Sequence, residues 1–155
     1  MDSARALRQT RLFAAMPEAE LAKLAKLALT TRFRRDEEIC REGAVGNELF
    51  VLVLGSVRAV KADASANEQE IAVFGSGACF GEMSMVAADH KRAATLRALE
   101  DCEVLSLSGD AINALADIDA SFGCAFFRAL AGGLTQRMRN AGAEVAMLKS
   151  LARRN

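Results

Sequence analysis

The sequence is poor in groups that hold metals or perform hydrolysis. Its 155 residues include one histidine, His90, and four cysteines, Cys40, Cys79, Cys102 and Cys124, which lie far apart with no C-x-x-C pair. No structural zinc or iron–sulfur site is expected from such spacing. Without a metal-ligand cluster or a nucleophile beside a base, hydrolytic chemistry has nothing to work with, and the chain is read as non-enzymatic. Net charge is also lacking: Lys+Arg and Asp+Glu number 20 each, so no overall field draws nucleic acid or a membrane surface. Hydrophobic residues make up 52% of the chain, yet no run approaches eighteen apolar residues, which argues for a globular protein and against a membrane span. The N-terminus carries Asp2, Arg5, Arg8 and Arg11 with no apolar block between them, unlike a secretory signal, and a cytoplasmic location is expected. Cys40, Cys79 and Cys102 sit in strand-like apolar settings, where a free cysteine packs as a small hydrophobe.

What is present suits one domain over residues 1–155. Residues 3–15 and 18–29 read as helices divided by Met16-Pro17, with Leu21, Leu24, Ala25 and Ala28 as the packing stripe of the second. Between 31 and 108 the pattern changes to short β-like runs at glycine or polar turns, near 31–34, 38–41, 48–54, 56–61, 69–74, 78–80, 93–98 and 102–107. The unbroken apolar run at 49–54 implies a strand buried on both faces, and Gly55-Ser56 after it signals a tight hairpin. Residues 63–68 read as an exposed loop. Helices return at 109–116 and 119–152, the latter with a stripe at Phe122, Phe126, Leu130, Leu134, Met138, Ala141, Val145 and Leu148. Gly132-Gly133 interrupts this stripe as a packing point or a hinge, each glycine disfavouring a helix interior by about 1 kcal/mol relative to alanine. Arg137, Arg139, Lys149, Arg153 and Arg154 are offset mainly by Glu144; a solvated helix end accounts for them, and contact with a membrane or nucleic acid is the alternative.

The segment 80–95, FGEMSMVAADHKRAAT, carries the chemistry. Gly81 opens a short helical run whose first N–H groups lack intrahelical partners and can receive an anion. Arg92 supplies a guanidinium that grips phosphate oxygens in parallel, and Ala93 and Ala94 leave room beside it. Glu82 would repel a phosphate unless it accepts hydrogen bonds from another part of the same ligand, as a ribose hydroxyl provides. The implied ligand is a sugar phosphate held between Glu82 and Arg92. The competing reading is an internal Glu82–Arg92 salt bridge.

With FGE and RAAT so placed, the segment resembles the phosphate-binding cassette of cyclic-nucleotide-binding domains, as in the catabolite activator protein, the regulatory subunit of protein kinase A and nucleotide-gated channels. EGAVGNELFVLVLGSV is similar to the glycine-punctuated strands that lead to that cassette, and the resemblance spans roughly residues 10–140. It implies an α+β, mainly β fold: an eight-stranded antiparallel β-roll, jelly-roll-like, with N-terminal helices, a short cassette helix and C-terminal helices.

The resemblance also implies roles. Gly81, Glu82, Met83, Ser84, Arg92, Ala93 and Ala94 would contact a cyclic nucleotide, with Glu82 on the ribose hydroxyl and Arg92 and backbone N–H groups on the phosphate. Val73, Leu96, Leu134 and Met138 are possible base or pocket contacts; Met83, Val73 and Leu96 can equally be ordinary core residues. Family members that prefer cGMP often carry threonine or serine after the arginine, so Ala93 favours cAMP. No cofactor or metal is expected. The resemblance further implies a sensor whose C-terminal helix moves and can pair with a second copy or a partner protein. The alternative is a degenerate roll that only dimerises or docks. Seven residues follow Leu148, too few for a helix-turn-helix, so direct DNA binding is not expected. Three departures stand out. Asp36 replaces a common glycine, the AADHK loop is long and lacks a proline before Arg92, and no aromatic follows Phe127 to cover a base. His90 is read as a solvated loop residue, with a haem or metal ligand as the alternative drawn from gas-sensing relatives.

Overall fold

The computed structural model describes residues 2–154. Helices α1 (Ser3–Arg8) and α2 (Glu18–Leu27) precede strands β1 (Ala28–Phe33), β2 (Glu38–Cys40), β3 (Glu48–Leu54), β4 (Val57–Ala62), β5 (Glu68–Phe74) and β6 (Cys79–Phe80). Helix α3 (Glu82–Val86), strands β7 (Thr95–Ala98) and β8 (Cys102–Ser108), and helices α4 (Gly109–Ile118) and α5 (Ala120–Ala152) complete the chain. The strands form two four-stranded antiparallel sheets, ordered β1-β8-β3-β6 and β2-β7-β4-β5. This is the eight-stranded roll implied by the sequence.

Strand β3 joins the two hydrophobic cores. Its side chains alternate, as a strand's must. Leu49 and Val51 face the helices and pack in one core with Leu7, Phe13, Leu24, Ile112 and Phe126, while Phe50 and Leu52 face the inside of the roll with Val57, Phe80 and Leu96. All four are buried, which explains the unbroken LFVL run. Phe13, Phe122 and Phe126 stack at centroid distances of 5.9 and 6.0 Å and seat α5 against the N-terminal segment.

Several boundaries depart from the sequence pattern. Helix α1 ends at Arg8, because the Thr10 hydroxyl donates to the Leu7 carbonyl and accepts from the Phe13 N–H, diverting the backbone into turns. Ala28 and Leu29 leave the helix to pair with Leu107 and Ser106 of β8. Gly55-Ser56 is not a hairpin within one sheet: β3 pairs with β8 and β6, and β4 with β5 and β7, so the turn carries the chain between sheets. Gly55 makes it at φ 94°, where a Cβ would lie 2.8 Å from the Asp101 carbonyl. Asp36 adopts φ 67°, the left-handed conformation that a glycine would take without strain. The exposed loop before β5 matches the reading of 63–68 except that Glu68 already belongs to the strand.

Helix α5 runs through Gly132-Gly133 without a break. The pair has two different surroundings: a Cβ on Gly133 would meet Leu12 Cδ1 at 2.3 Å, whereas one on Gly132 would meet nothing within 4 Å. Asp119 starts α5 by accepting the Phe122 N–H and receives Lys23 at 2.7 Å from α2, locking the two helices at one end. No described helix is long and apolar enough to cross a membrane.

Candidate functional site

The end of β6 delivers the chain to Gly81, which caps α3 at φ 90°. Only glycine fits, since a Cβ would lie 2.5 Å from the Glu48 carbonyl oxygen and 2.9 Å from Arg92 Nη1. Opposite α3, residues 90–92 run beside 43–46: Arg92 N–H donates to the Ala44 carbonyl, Gly43 N–H to the Arg92 carbonyl and Gly46 N–H to the His90 carbonyl, each at 2.9 Å. This pairing fixes the backbone from which Arg92 projects.

Arg92 is buried. Its Nη1 donates to the Glu48 carbonyl at 2.8 Å and to Ser84 Oγ at 2.7 Å, and its Nη2 donates to Glu48 Oε2 at 2.5 Å. The guanidinium lies over the Phe50 ring, 5.2 Å from its centroid. Gly46 is required beside it, because a Cβ there would stand 2.4 Å from Arg92 Nε.

Glu82 is also buried, and it does not pair with Arg92. Its Oε1 forms an ion pair with Nη1 of Arg137, which reaches across from α5, and Arg137 Nη2 donates to the Cys79 carbonyl. Oε2 of Glu82 has no hydrogen-bond partner among the described residues. Burial pushes the Glu82 carboxyl above its ordinary value, with Arg137 pulling the other way. Burial likewise pushes the Cys79 thiol up, and the neighbouring Glu82 charge adds to it. The internal Glu82–Arg92 salt bridge is therefore replaced by two separate pairs, Glu48–Arg92 and Arg137–Glu82. Sequence reading missed Glu48 and Arg137. Arg137 is not simply part of a solvated basic tail.

The other sequence-derived residues divide into three settings. Ser84 is buried and turned inward, donating to the Gly81 carbonyl while receiving Arg92. Met83, Ala93 and Val73 are exposed, and Ala94 is half-buried beside the roll's inner core. Leu96 belongs to that inner core, Leu134 packs at the edge of the helical one, and Met138 is 76% exposed. His90 adopts φ 50° and its Nδ1 lies 2.8 Å from the Ser84 carbonyl, so the ring is engaged with the cassette backbone. Among the described residues, no three His, Cys, Asp or Glu side chains gather as a metal centre would require.

The family model for the cyclic nucleotide-binding domain matches residues 30–119, more than half of the chain. The chain belongs to this family. Among solved structures, it is similar to a cyclic nucleotide-binding domain from Methylobacillus flagellatus, with a TM-score of 0.81 and 26% identity, covering 94% of this chain and 81% of that one. The regulatory domain of Toxoplasma gondii PKA, solved with cAMP, matches with a TM-score of 0.67 and 27% identity over 73% of this chain and 42% of that one. The cyclic nucleotide-gated channel alpha-2 of Bos taurus is 29% identical over 112 residues. That match takes in 67% of this chain but 16% of the channel, so the chain spans a small part of this relative. The cassette, the Glu48–Arg92 pair, strands β2 to β8 and β1 from Thr30 onward lie within the family match, whereas Arg137, the partner of Glu82, comes from α5 beyond it.

Proposed function

We propose that this chain is a non-enzymatic cyclic-nucleotide sensor that prefers cAMP and couples its binding to the placement of α5. The observation that carries the reading is a buried carboxylate, Glu82, with Oε2 unpartnered, on the same short helix whose Ser84 hydroxyl receives the buried Arg92. A ribose hydroxyl donating to Glu82 Oε2 satisfies that oxygen, and the cyclic phosphate then falls to Arg92 and the N–H groups of Gly81, Glu82 and Ala93. Ser84 acts behind them by holding Arg92. Met83 and Ala94 flank the ligand, and Val73, Leu96, Leu134 and Met138 are the apolar groups nearest in role to a base pocket. Ala93 offers no hydroxyl to a guanine, which favours cAMP. The T. gondii domain to which this chain is similar was solved with cAMP, in keeping with this choice.

Coupling to α5 runs through Arg137. A hydroxyl arriving at Glu82 shares or replaces the Arg137 ion pair, so the nucleotide changes what holds the helix to the cassette, and it shifts the helix by its difference in affinity for the two arrangements. Calorimetric titration with cAMP, then cGMP, on wild type and Arg92→Ala tests the proposal. Binding of cAMP tighter than cGMP and lost in the variant is expected, the loss of Arg92 weakening binding by about 2–5 kcal/mol. No heat and no thermal shift with either nucleotide would defeat it.

A second reading is favoured by the outer half of α5. Met138, Val145 and Leu148 are 76%, 50% and 64% exposed, and with Leu134 and Ala141 they repeat at alternating spacings of four and three residues, the period of a coiled-coil seam. In a parallel pair of α5 helices Glu144 would face the second copy's Lys149, opposite in charge. A dimer through α5 is compatible with nucleotide sensing; a dimer in a chain that binds neither nucleotide would make docking the function. Sedimentation across a range of concentrations, with Val145→Glu as the control, separates the cases.

A further inference from the structure

We infer that Glu48 sets the affinity of this site by acting as a built-in carboxylate that occupies the arginine a ligand phosphate has to use. The inference rests on the nucleotide reading above and adds a residue that the cassette motif does not contain. Glu48 opens β3, outside the 80–95 segment.

An arginine has five N–H donors. In Arg92 three are engaged, two on Nη1 with the Glu48 carbonyl and Ser84 Oγ and one on Nη2 with Glu48 Oε2. Nε and Nη2 lie close to Gly46, 2.4 and 2.6 Å from the position that a Cβ there would take. An incoming phosphate therefore meets a guanidinium in which an Nη2 donor already serves an anion. The carboxylate is also the solvent-facing partner, its side chain 51% exposed against 5% for Arg92. An anion approaching from solution reaches Glu48 first and is repelled by it.

The same contacts separate competition from positioning. Arg92 is held by two neutral acceptors, the Glu48 main-chain carbonyl and the Ser84 hydroxyl, and by the Phe50 ring beneath it. Neither acceptor is the Glu48 side chain. Cancelling the carboxylate's charge leaves Arg92 in place and frees its positive field, and removing the side chain also releases the Nη2 donor. Glu48 thus lowers affinity rather than building the site.

The test compares wild type, Glu48→Gln, Glu48→Ala and the double variant Glu48→Gln/Arg92→Ala, using cAMP and adenosine as probes and thermal melting to verify folding. Glu48→Gln is expected to bind cAMP roughly two- to fivefold more tightly than wild type, the range of a part-exposed ion pair. Glu48→Ala should gain similarly, adenosine, which has no phosphate, should be unaffected, and the double variant should lose the gain. Equal or weaker cAMP binding by folded Glu48→Gln, with wild-type binding that Arg92→Ala abolishes, overturns this inference and leaves the nucleotide reading standing. A matching gain for adenosine also overturns it, because a general loosening of the site would then be the cause. Absence of cAMP binding in every variant sinks both this inference and the nucleotide reading, whereas binding that appears only in Glu48→Gln supports both.

Discussion

Arg137 on α5 and Glu82 at the start of α3 form an ion pair in which the two partners are unequally buried, the carboxylate side chain 4% exposed and the guanidinium 44%. Losing Arg137 leaves the less accessible charge behind, and an uncompensated buried carboxylate is the expensive outcome. Because Arg137 is nearly half exposed, the full penalty of a buried pair does not apply. Arg137→Met, which keeps the length of the side chain, is expected to lower unfolding stability by about 1–3 kcal/mol at pH 7. Urea denaturation measures this, and an unchanged midpoint would show that the helix is held by packing alone.

Burial gives Glu82 a pH signature. Its folded-state pKa is raised above the ordinary value of 4.5, with Arg137 and the Cys79 thiol as the titratable neighbours facing it. The native chain therefore keeps this proton to a higher pH than the unfolded chain. The favourable contribution is fully present below about 4.5 and is lost as pH rises through the folded value. Asp119, Glu38 and Glu68 run the other way, since Lys23, Arg41 and Arg97 hold their carboxyls low and their contributions fade on acidification. Subtracting a Glu82→Gln stability profile from the wild-type one isolates the first effect. The difference should move in favour of wild type as pH falls toward about 4.5; a flat difference would refute the burial account.

Gly46 and Gly81 support Arg92 from two sides, for different reasons. A Cβ at Gly46 would press on the guanidinium at 2.4–2.8 Å, and that group is held by three hydrogen bonds and cannot easily yield. A Cβ at Gly81 would meet main-chain oxygen at 2.5 Å in a left-handed conformation, where a side chain is strained as well. Gly81→Ala should destabilise the fold by roughly 2 kcal/mol or more. Gly46→Ala should weaken cAMP binding more than it lowers stability, because the atoms it displaces belong to the arginine proposed to hold the phosphate. Paired melting and calorimetry check the contrast, and equal proportional losses in the two variants would contradict it.

The roll and the family cassette were legible because their signals are local or periodic. In β3 the apolar run announces burial on both faces, and Gly81 and Arg92 sit at fixed places in a short motif. Boundaries set by tertiary contacts were not legible: Thr10 ends α1 through its hydroxyl, and Ala28 leaves α2 for the edge of β8. The Gly55-Ser56 turn looks like a hairpin because its local chemistry is that of one, while the choice of sheet is made by strands far away in sequence. Glu48 and Arg137 were hidden for the same reason. Each is one charged residue among ordinary neighbours, and its partner lies 44 residues away for Glu48 and 55 for Arg137 by chain numbering, brought close only by the fold.

The two adjacent glycines of α5 show how finely such context divides a motif. Both weaken a helix interior in the same way, yet the space around them differs. At Gly132 an added methyl meets nothing within 4 Å, so Gly132→Ala should stabilise the protein by about 0.5–1 kcal/mol through helix propensity and reduced unfolded-state freedom. At Gly133 the methyl would meet Leu12 Cδ1 at 2.3 Å, and the Leu12 side chain has to turn away from the core edge that it covers. That movement offsets the helical gain, so Gly133→Ala should be neutral or destabilising. Thermal unfolding of the two single variants decides the matter: if both stabilise equally, α5 does not press on the N-terminal segment at Leu12, and the glycine pair is a feature of the helix alone.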